Sequence, residues 1–260
     1  VSDNNLVCSG EKTKLLVVTT QAMWLSSLSD ILLQIQVCGN IVKESICEKI
    51  LGVVANNKLT WHHHLYGDFT DPKKPIKGLV SQLAKRVGLL SKLVKIIPSK
   101  RFKLLVNGLF MSKLLYCLPL FGNIWYKQAL GDKETRFHSF TKSNLRALQT
   151  LQNKVLRLLA GCGYDTPVLQ LLDKTNMLSV NQLVAFTTIM TVFKTKQSGE
   201  PKYIDRRMNF NQRGRINNVK FRLSRAREGF MFTGAQYFSL LPNEIRLETK
   251  ISRFKKKLKT

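Results

Sequence analysis

The chain has 260 residues, 44% of them hydrophobic, which is enough to bury a sizeable core and excludes a wholly disordered tail. Its 42 lysines and arginines against 16 aspartates and glutamates give a formal charge of +26. This excess predicts a polyanionic partner, nucleic acid first and an anionic membrane second, while five scattered cysteines argue against the disulfide framework of a secreted protein.

The positive charge is spread unevenly along the chain. Residues 1–70 carry five basic and six acidic side chains, whereas residues 71–127 carry 12 and one. Residues 128–200 carry nine and five, and residues 201–260 carry 16 and four. The start of the chain is therefore nearly neutral, and the later regions hold the excess. For any single basic cluster, the alternative to nucleic-acid binding is a solvated helix face.

Short strand patterns occupy most of the first 60 residues. Apolar and β-branched residues between turn-forming residues predict a small antiparallel sheet with strands near 13–19, 32–37, 41–45 and 49–54. Gly52 lies inside the last strand, where a glycine usually marks a bulge or a close backbone approach. Asn56 and Asn57 then predict a turn.

Three consecutive histidines stand at 62–64, after this turn. A zinc site would need their side chains to converge on one ion. Adjacent side chains diverge on either a helix or a strand, so the run indicates the exposed start of a helix instead.

Apolar residues at helical spacing predict four helices, near 76–97, 100–117, 144–160 and 180–196. The apolar face of the first consists of Leu79, Leu83, Val87, Leu90, Val94 and Ile97. Its opposite face carries Lys77, Lys85, Lys92 and Lys95. Ser179 and Gln182 have the spacing of a capping box and predict the start of the last helix.

The apolar run at 104–126 is long enough to cross a membrane, so a membrane helix has to be considered. Lys113 lies near its middle, where a charged side chain costs about 2.5–3.5 kcal/mol in a bilayer. Asn107, Pro119 and Asn123 also interrupt the run. We therefore expect a helix of the protein core and no membrane contact.

Several short motifs stand in a fixed order along the chain. Lys12 and Thr13 open the first strand, Leu51-Gly52-Val53 lies in the fourth, and FTGAQYFSLLPNEIR (232–246) and SRFKKKLK (252–259) lie near the C-terminus. In this order they resemble the C-terminal part of reverse transcriptases from LINE-type (non-LTR) retrotransposons. Lys12 is at the position of the lysine of motif D, and Leu51-Gly52 at that of motif E, the primer grip.

This resemblance implies an α+β fold with a fixed order of parts. A small antiparallel sheet at 1–70 would form the end of the palm, including the primer-grip hairpin. Thumb-like helices would follow at 71–127, a further helical region at 128–200, and a basic C-terminal module at 201–260.

The resemblance also implies which residues handle nucleic acid. Lys12, Leu51 and Gly52 would lie near the growing DNA 3′ end, which the primer-grip hairpin supports. The helix at 76–97 would be the thumb helix that lies along the primer–template duplex. The side chains expected to contact phosphates from its polar face are Lys85, Lys92 and Lys95.

The carboxylates required for polymerisation do not accompany these motifs. Reverse transcription uses two divalent metal ions held by aspartates, which the family carries in an early palm strand and in a Tyr/Phe-x-Asp-Asp hairpin. This chain contains no Asp-Asp pair. The resemblance therefore implies no catalytic residue, no metal ligand and no cofactor here, with Mg²⁺ expected only in an intact parent polymerase.

The expected function is that of an inactive fragment of an RNA-directed DNA polymerase that keeps surfaces for an RNA or DNA primer–template duplex. No small-molecule substrate is expected. The alternative is a basic module that binds nucleic acid, protein or a membrane surface and has no polymerase role. Because no signal pattern is present, the expected location is intracellular, the nucleus included, and not secreted.

Overall fold

The computed structural model of the chain describes residues 9, 12–18, 35–37, 39–42, 44–68, 75–122, 142–211, 216 and 229–258. These residues belong to two compact units, Val1–Gly78 and Leu79–Thr260. In the described residues, the first unit contains small antiparallel sheets and one short helix, and the second is mainly helical. The expected α+β class, with strands before helices, is confirmed at this level.

The described strands of the first unit form separate antiparallel pairs. They are β1 (Ile35–Val37) with β2 (Asn40–Val42), β3 (Cys47–Ile50) with β4 (Val53–Asn56), and β5 (Gly67–Asp68) with β6 (Ile76–Lys77). The expectation of one continuous sheet is wrong for these residues. Turns follow each other so closely that no described strand exceeds four residues, which leaves little edge for a third strand.

The first predicted strand, 13–19, is not formed in the part that the structure describes. The backbone amides of Lys12 and Thr13 donate to the carbonyl of Ser9 at 3.2 and 3.1 Å, and the Thr13 hydroxyl donates to it at 2.8 Å. This local turn satisfies groups that a strand ladder would use. Leu15 makes only an isolated parallel bridge with Glu44.

The predicted strand at 49–54 is a hairpin. β3 and β4 pair Ile50 with Val53, and Leu51 and Gly52 form the two-residue turn between them. Their φ angles of 48° and 86° match a type I′ turn, which suits the twist of a hairpin. Gly52 therefore lies in a turn, where the sequence predicted a strand position with a bulge or a close backbone approach. The apolar residues on both sides of the turn made the segment look like one strand.

The turn predicted at Asn56–Asn57 is confirmed, since the Leu59 amide donates to the Asn56 carbonyl at 2.9 Å. The histidines begin helix α1 (His62–Tyr66) as expected. His64, however, is buried, and its Nδ1 accepts a hydrogen bond from the Val54 amide at 3.3 Å. This histidine joins the helix to β4, so the expectation of an exposed run is right only for its beginning.

The second unit contains the four predicted helices, with shifted ends. The elements among its described residues are α2 (Leu79–Leu93), α3 (Ser99–Leu105), a π-helical segment (Val106–Met111), α4 (Ser112–Leu115), α5 (Leu118–Phe121), α6 (Lys142–Ala160), α7 (Val168–Thr175), α8 (Val180–Ser198), α9 (Lys202–Arg207), α10 (Phe230–Leu240), α11 (Asn243–Arg246) and α12 (Ile251–Lys257). The capping box is confirmed: the Gln182 amide donates to Ser179 Oγ at 3.3 Å, and the Ser179 amide to Gln182 Oε1 at 2.9 Å.

The helical run Ser99–Phe121 is apolar but only partly buried. Phe102, Val106, Phe110 and Leu114 face the core, while Leu104 is 70% exposed. Within the described residues, this run is long and apolar enough to cross a membrane. Helices α7 and α8 would meet the same criterion only if the bent pair formed one span. The run was expected to be a helix of the protein core, and only one of its faces packs against the core.

Aromatic stacking joins the C-terminal helix to the core of the second unit. The rings of Phe193 in α8 and Phe254 in α12 stack with centroids 3.8 Å apart, and Phe238 of α10 lies 6.3 Å from Phe254. All three side chains are fully buried. Burying each contributes about 1.5–3 kcal/mol, so this cluster holds α12 in place.

Candidate nucleic-acid interface

Helix α2 separates an apolar face from a basic one, as the sequence predicted. Leu79, Leu83, Val87 and Leu90 are buried. The side chains of Lys85 and Lys92 are exposed on the opposite face, and Lys95 is exposed in the turn that follows the helix. Because burial of the apolar face fixes the rotation of the helix about its axis, it also fixes the direction in which Lys85 and Lys92 point.

Arg86 also stabilises this orientation, a role that the sequence did not indicate. Its guanidinium Nη1 donates a hydrogen bond to the carbonyl of Leu109 in the π-helical segment. Arg86 lies between the apolar and basic faces and is only partly exposed. We assign it to fastening α2 and not to contacting phosphates.

The stretch of chain that contains α2 has no acidic residue. Residues 79–122 contain eight lysines and arginines and no aspartate or glutamate. Lys100 and Arg101 are exposed in the first turn of α3, where a cation opposes the helix dipole at a cost of about 0.3–1 kcal/mol each. Lys100 and Arg101 therefore do not stabilise α3 through its dipole, whereas a bound polyanion would offset their cost.

The expected primer-grip residues form the tip of the β3–β4 hairpin. Leu51 is 87% exposed, and its positive φ costs about 1–2 kcal/mol for a residue other than glycine. An apolar side chain held at a rigid turn is suited to contact a sugar or a base. Lys12 is exposed in the same unit, within the turn closed by Ser9.

The six expected binding residues divide between the two units. Lys12, Leu51 and Gly52 belong to the first unit. The thumb-like lysines, Lys85, Lys92 and Lys95, belong to the second. Leu51 and Gly52 are neighbours in the hairpin turn, and Lys85, Lys92 and Lys95 lie within eleven residues of each other, whereas Lys12 lies 39 residues before Leu51.

A second basic feature of the second unit was missed by the sequence patterns. Lys196 of α8 donates to the carbonyl of Arg246 at 2.9 Å and lies 5.9 Å from the ring centroids of Phe210 and Phe238. Burial, and secondly the nearby Arg246 charge, lower the pKa of Lys196. Arg246 is itself buried and donates to the Ser239 carbonyl at 3.1 Å. These two cations join α11 to α8 and are structural.

No site for catalytic metal ions is present among the residues that the structure describes, where no three histidine, cysteine, aspartate or glutamate side chains meet. Asp68 accepts a hydrogen bond from Cys47 Sγ at 2.7 Å. Burial, reinforced by this bond, raises the pKa of the Cys47 thiol to about 12, so the thiol is neutral at physiological pH. Asp3, Asp30, Asp71 and Asp132 lie outside the described residues, so the absence of a catalytic site stays a prediction.

The described part of the second unit thus presents an exposed basic face on α2, and that of the first presents an exposed hairpin tip. No protein-family model, curated protein sequence or solved structure matches the chain.

Proposed function

We propose that this chain is the nucleic-acid-gripping part of a reverse transcriptase of the LINE type. Its β3–β4 hairpin serves as the primer grip, and α2 serves as a thumb helix. The chain binds an RNA or DNA primer–template duplex and does not itself carry the catalytic aspartates. The resemblance of the motifs supports the assignment to this family, and the geometry of α2 supports the assignment of the binding surface.

The observation that carries the proposal is the division of α2 into a buried apolar face and an exposed face that carries lysines together with Leu89, which is 47% exposed. Four apolar side chains are buried, while three lysines are exposed opposite them or just beyond the helix end, in a region of 44 residues (79–122) without an acidic group. Lysine ammonium groups at such a surface attract phosphates without reading base identity. The expected binding is therefore strong at low salt and independent of sequence.

The first test replaces three lysines of this face with glutamine: Lys85→Gln, Lys92→Gln and Lys95→Gln. Each phosphate contact contributes about 0.9 to the slope of log K against log salt on B-form DNA. The triple variant should therefore bind duplex more weakly, with a slope reduced by roughly 2–3. A salt titration by fluorescence anisotropy measures both quantities.

A matched control carries the same loss of charge elsewhere in the second unit. Lys194, Lys202 and Lys250 are exposed and lie outside the 79–122 region. Their replacement with glutamine should change the slope by less than the thumb variant does, and neither variant should alter sequence preference. An unchanged slope in the thumb variant would remove the assignment of α2 as a duplex-binding helix.

The second candidate function is a basic module that binds an anionic membrane. It is favoured by the helical run Ser99–Phe121, which is long and apolar enough to enter a bilayer, and by its exposed side chains Leu104 and Leu120. Vesicles with and without phosphatidylserine distinguish the two functions. On the membrane hypothesis, the thumb variant binds duplex normally and loses affinity for the anionic vesicles instead.

The chain alone should show no DNA synthesis on a primed RNA template with Mg²⁺. Two-metal catalysis needs a set of carboxylates, and the sequence has no Asp-Asp pair. Incorporation of labelled deoxynucleotides above a no-protein background is the measurement. Synthesis that withstands further purification would reveal a carboxylate site elsewhere in the chain.

A further inference from the structure

A groove of about 750 Å³ opens in the second unit, apart from the exposed face of α2. It is lined by the α3–α4 helical run, by α7 and α8, and by one residue of the C-terminal helix α12. Ligand sites in proteins commonly have volumes of about 300–1,000 Å³. The groove is therefore large enough for a ligand of one or two nucleotides.

The wall of this groove combines apolar and amide groups. Met111, Leu115 and Phe186 contribute apolar surface, while Asn107 and Asn176 are exposed and contribute side-chain amides. An acyl chain would use only the apolar part of this wall and would form no hydrogen bond with the amides. Nucleobases fit both kinds of surface, because their faces are apolar and their edges form hydrogen bonds.

Two lysines from distant parts of the chain line the groove. Lys103 of α3 donates to the Thr175 carbonyl at 3.2 Å, which holds its ammonium group in place and leaves two further N–H donors. Lys255 of α12 is exposed in the same lining. Asp173 is the carboxylate among the lining residues. The lining thus carries a net positive charge, with one negative group that would oppose an anion.

We propose that this groove binds an unpaired, single-stranded segment of the nucleic acid. Bases lie against the apolar wall, amides contact their edges, and Lys103 and Lys255 contact the phosphates. A duplex keeps its base faces stacked inside, so it cannot use the apolar wall. This inference rests on the proposed function, since it assigns the groove to the single-stranded extension of the duplex that α2 grips.

The test compares a blunt duplex with the same duplex carrying an unpaired extension of about ten nucleotides, a length within the usual site size of single-strand-binding folds. The wild-type chain should bind the extended duplex more tightly. The Lys103→Gln, Lys255→Gln double variant should lose most of this gain, so its affinity for the extended duplex should fall about tenfold. On the isolated single strand, its slope of log K against log salt should fall by about 1.4. Binding of the blunt duplex should not change.

Asp173→Asn should have the opposite effect on affinity, because it removes a negative charge from the groove and leaves the side chain nearly the same shape. Removing this carboxylate should tighten binding of the extended duplex several-fold and leave the blunt duplex unaffected. The Lys194→Gln, Lys250→Gln pair is the matched control for lost charge. A polyglutamate peptide of equal charge should compete poorly, because it has no bases for the apolar wall.

Three results would overturn the inference: no gain from the extension, equal loss on blunt and extended duplexes, or effective competition by polyglutamate. Failure of the proposed function looks different. In that case the thumb variant leaves blunt-duplex binding unchanged. The groove is then tested separately, by the affinity of the groove variants for the isolated single strand.

Discussion

Replacing Phe254 with alanine is expected to lower the free energy of unfolding of the second unit by about 3–5 kcal/mol. The Phe254 ring is fully buried, stacks on Phe193 at 3.8 Å and lies 6.3 Å from Phe238. Alanine would leave a cavity among aromatic side chains that cannot easily collapse. Urea unfolding, followed by circular dichroism, measures the change.

Ile251→Ala in the same helix is the control for this prediction. Ile251 is 47% exposed, so its truncation should cost less than about 1 kcal/mol. Hydrogen exchange adds a local measurement: the amides of α12 should lose protection in the Phe254 variant and keep it in the Ile251 variant. Equal destabilisation by both substitutions would show that the aromatic cluster does not hold α12.

The same substitution should also affect the proposed groove. Lys255 follows Phe254 directly and reaches the groove only while α12 is docked. The Phe254 variant, studied at a temperature where it stays folded, should therefore lose affinity for the unpaired extension as the Lys103, Lys255 variant does. Duplex binding by α2 should persist, because α2 packs against α6 and the π-helical segment.

The helices of the second unit could be predicted because burial of a helix face requires apolar residues at helical spacing in the sequence. In α2 the residues at helical spacing are the buried ones, and the lysines between them are exposed. In α8 the capping box at Ser179 and Gln182 marked the first turn correctly. The basic face followed from the same pattern, so Lys85, Lys92 and Lys95 could be placed from the sequence.

The hairpin tip and the buried cations could not be placed in this way. Ile50 to Val54 reads as one apolar strand, because periodicity does not show that Leu51 and Gly52 adopt positive φ angles. Lys196 and Arg246 are 50 residues apart, and their hydrogen bond depends on the packing of α11 against α8. The groove likewise joins Lys103 and Lys255 across the whole unit.

Replacing Gly78 with alanine is expected to disrupt the end of the first unit. The free energy of unfolding of this unit should fall by about 3 kcal/mol, which is the upper end of the usual cost of overpacking. A Cβ atom at Gly78 would overlap the backbone atoms of Leu65, Tyr66 and Gly67. Backbone cannot rotate away as a side chain can, so the pairing of β5 with β6 would have to break. Gly88→Ala is the matched control, since a Cβ there meets no atom within 4 Å.

Thiol chemistry provides a local measurement of this disruption. Cys47 is buried and donates a hydrogen bond to Asp68 of β5, and burial raises its pKa to about 12. At pH 8 it should therefore resist alkylation in the wild type and react in the Gly78 variant. Gly88→Ala should leave Cys47 protected and stabilise the second unit by about 0.5–1 kcal/mol, because alanine is the better helix former. Protection of Cys47 in both variants would contradict the close approach of Gly78 to the 65–67 backbone.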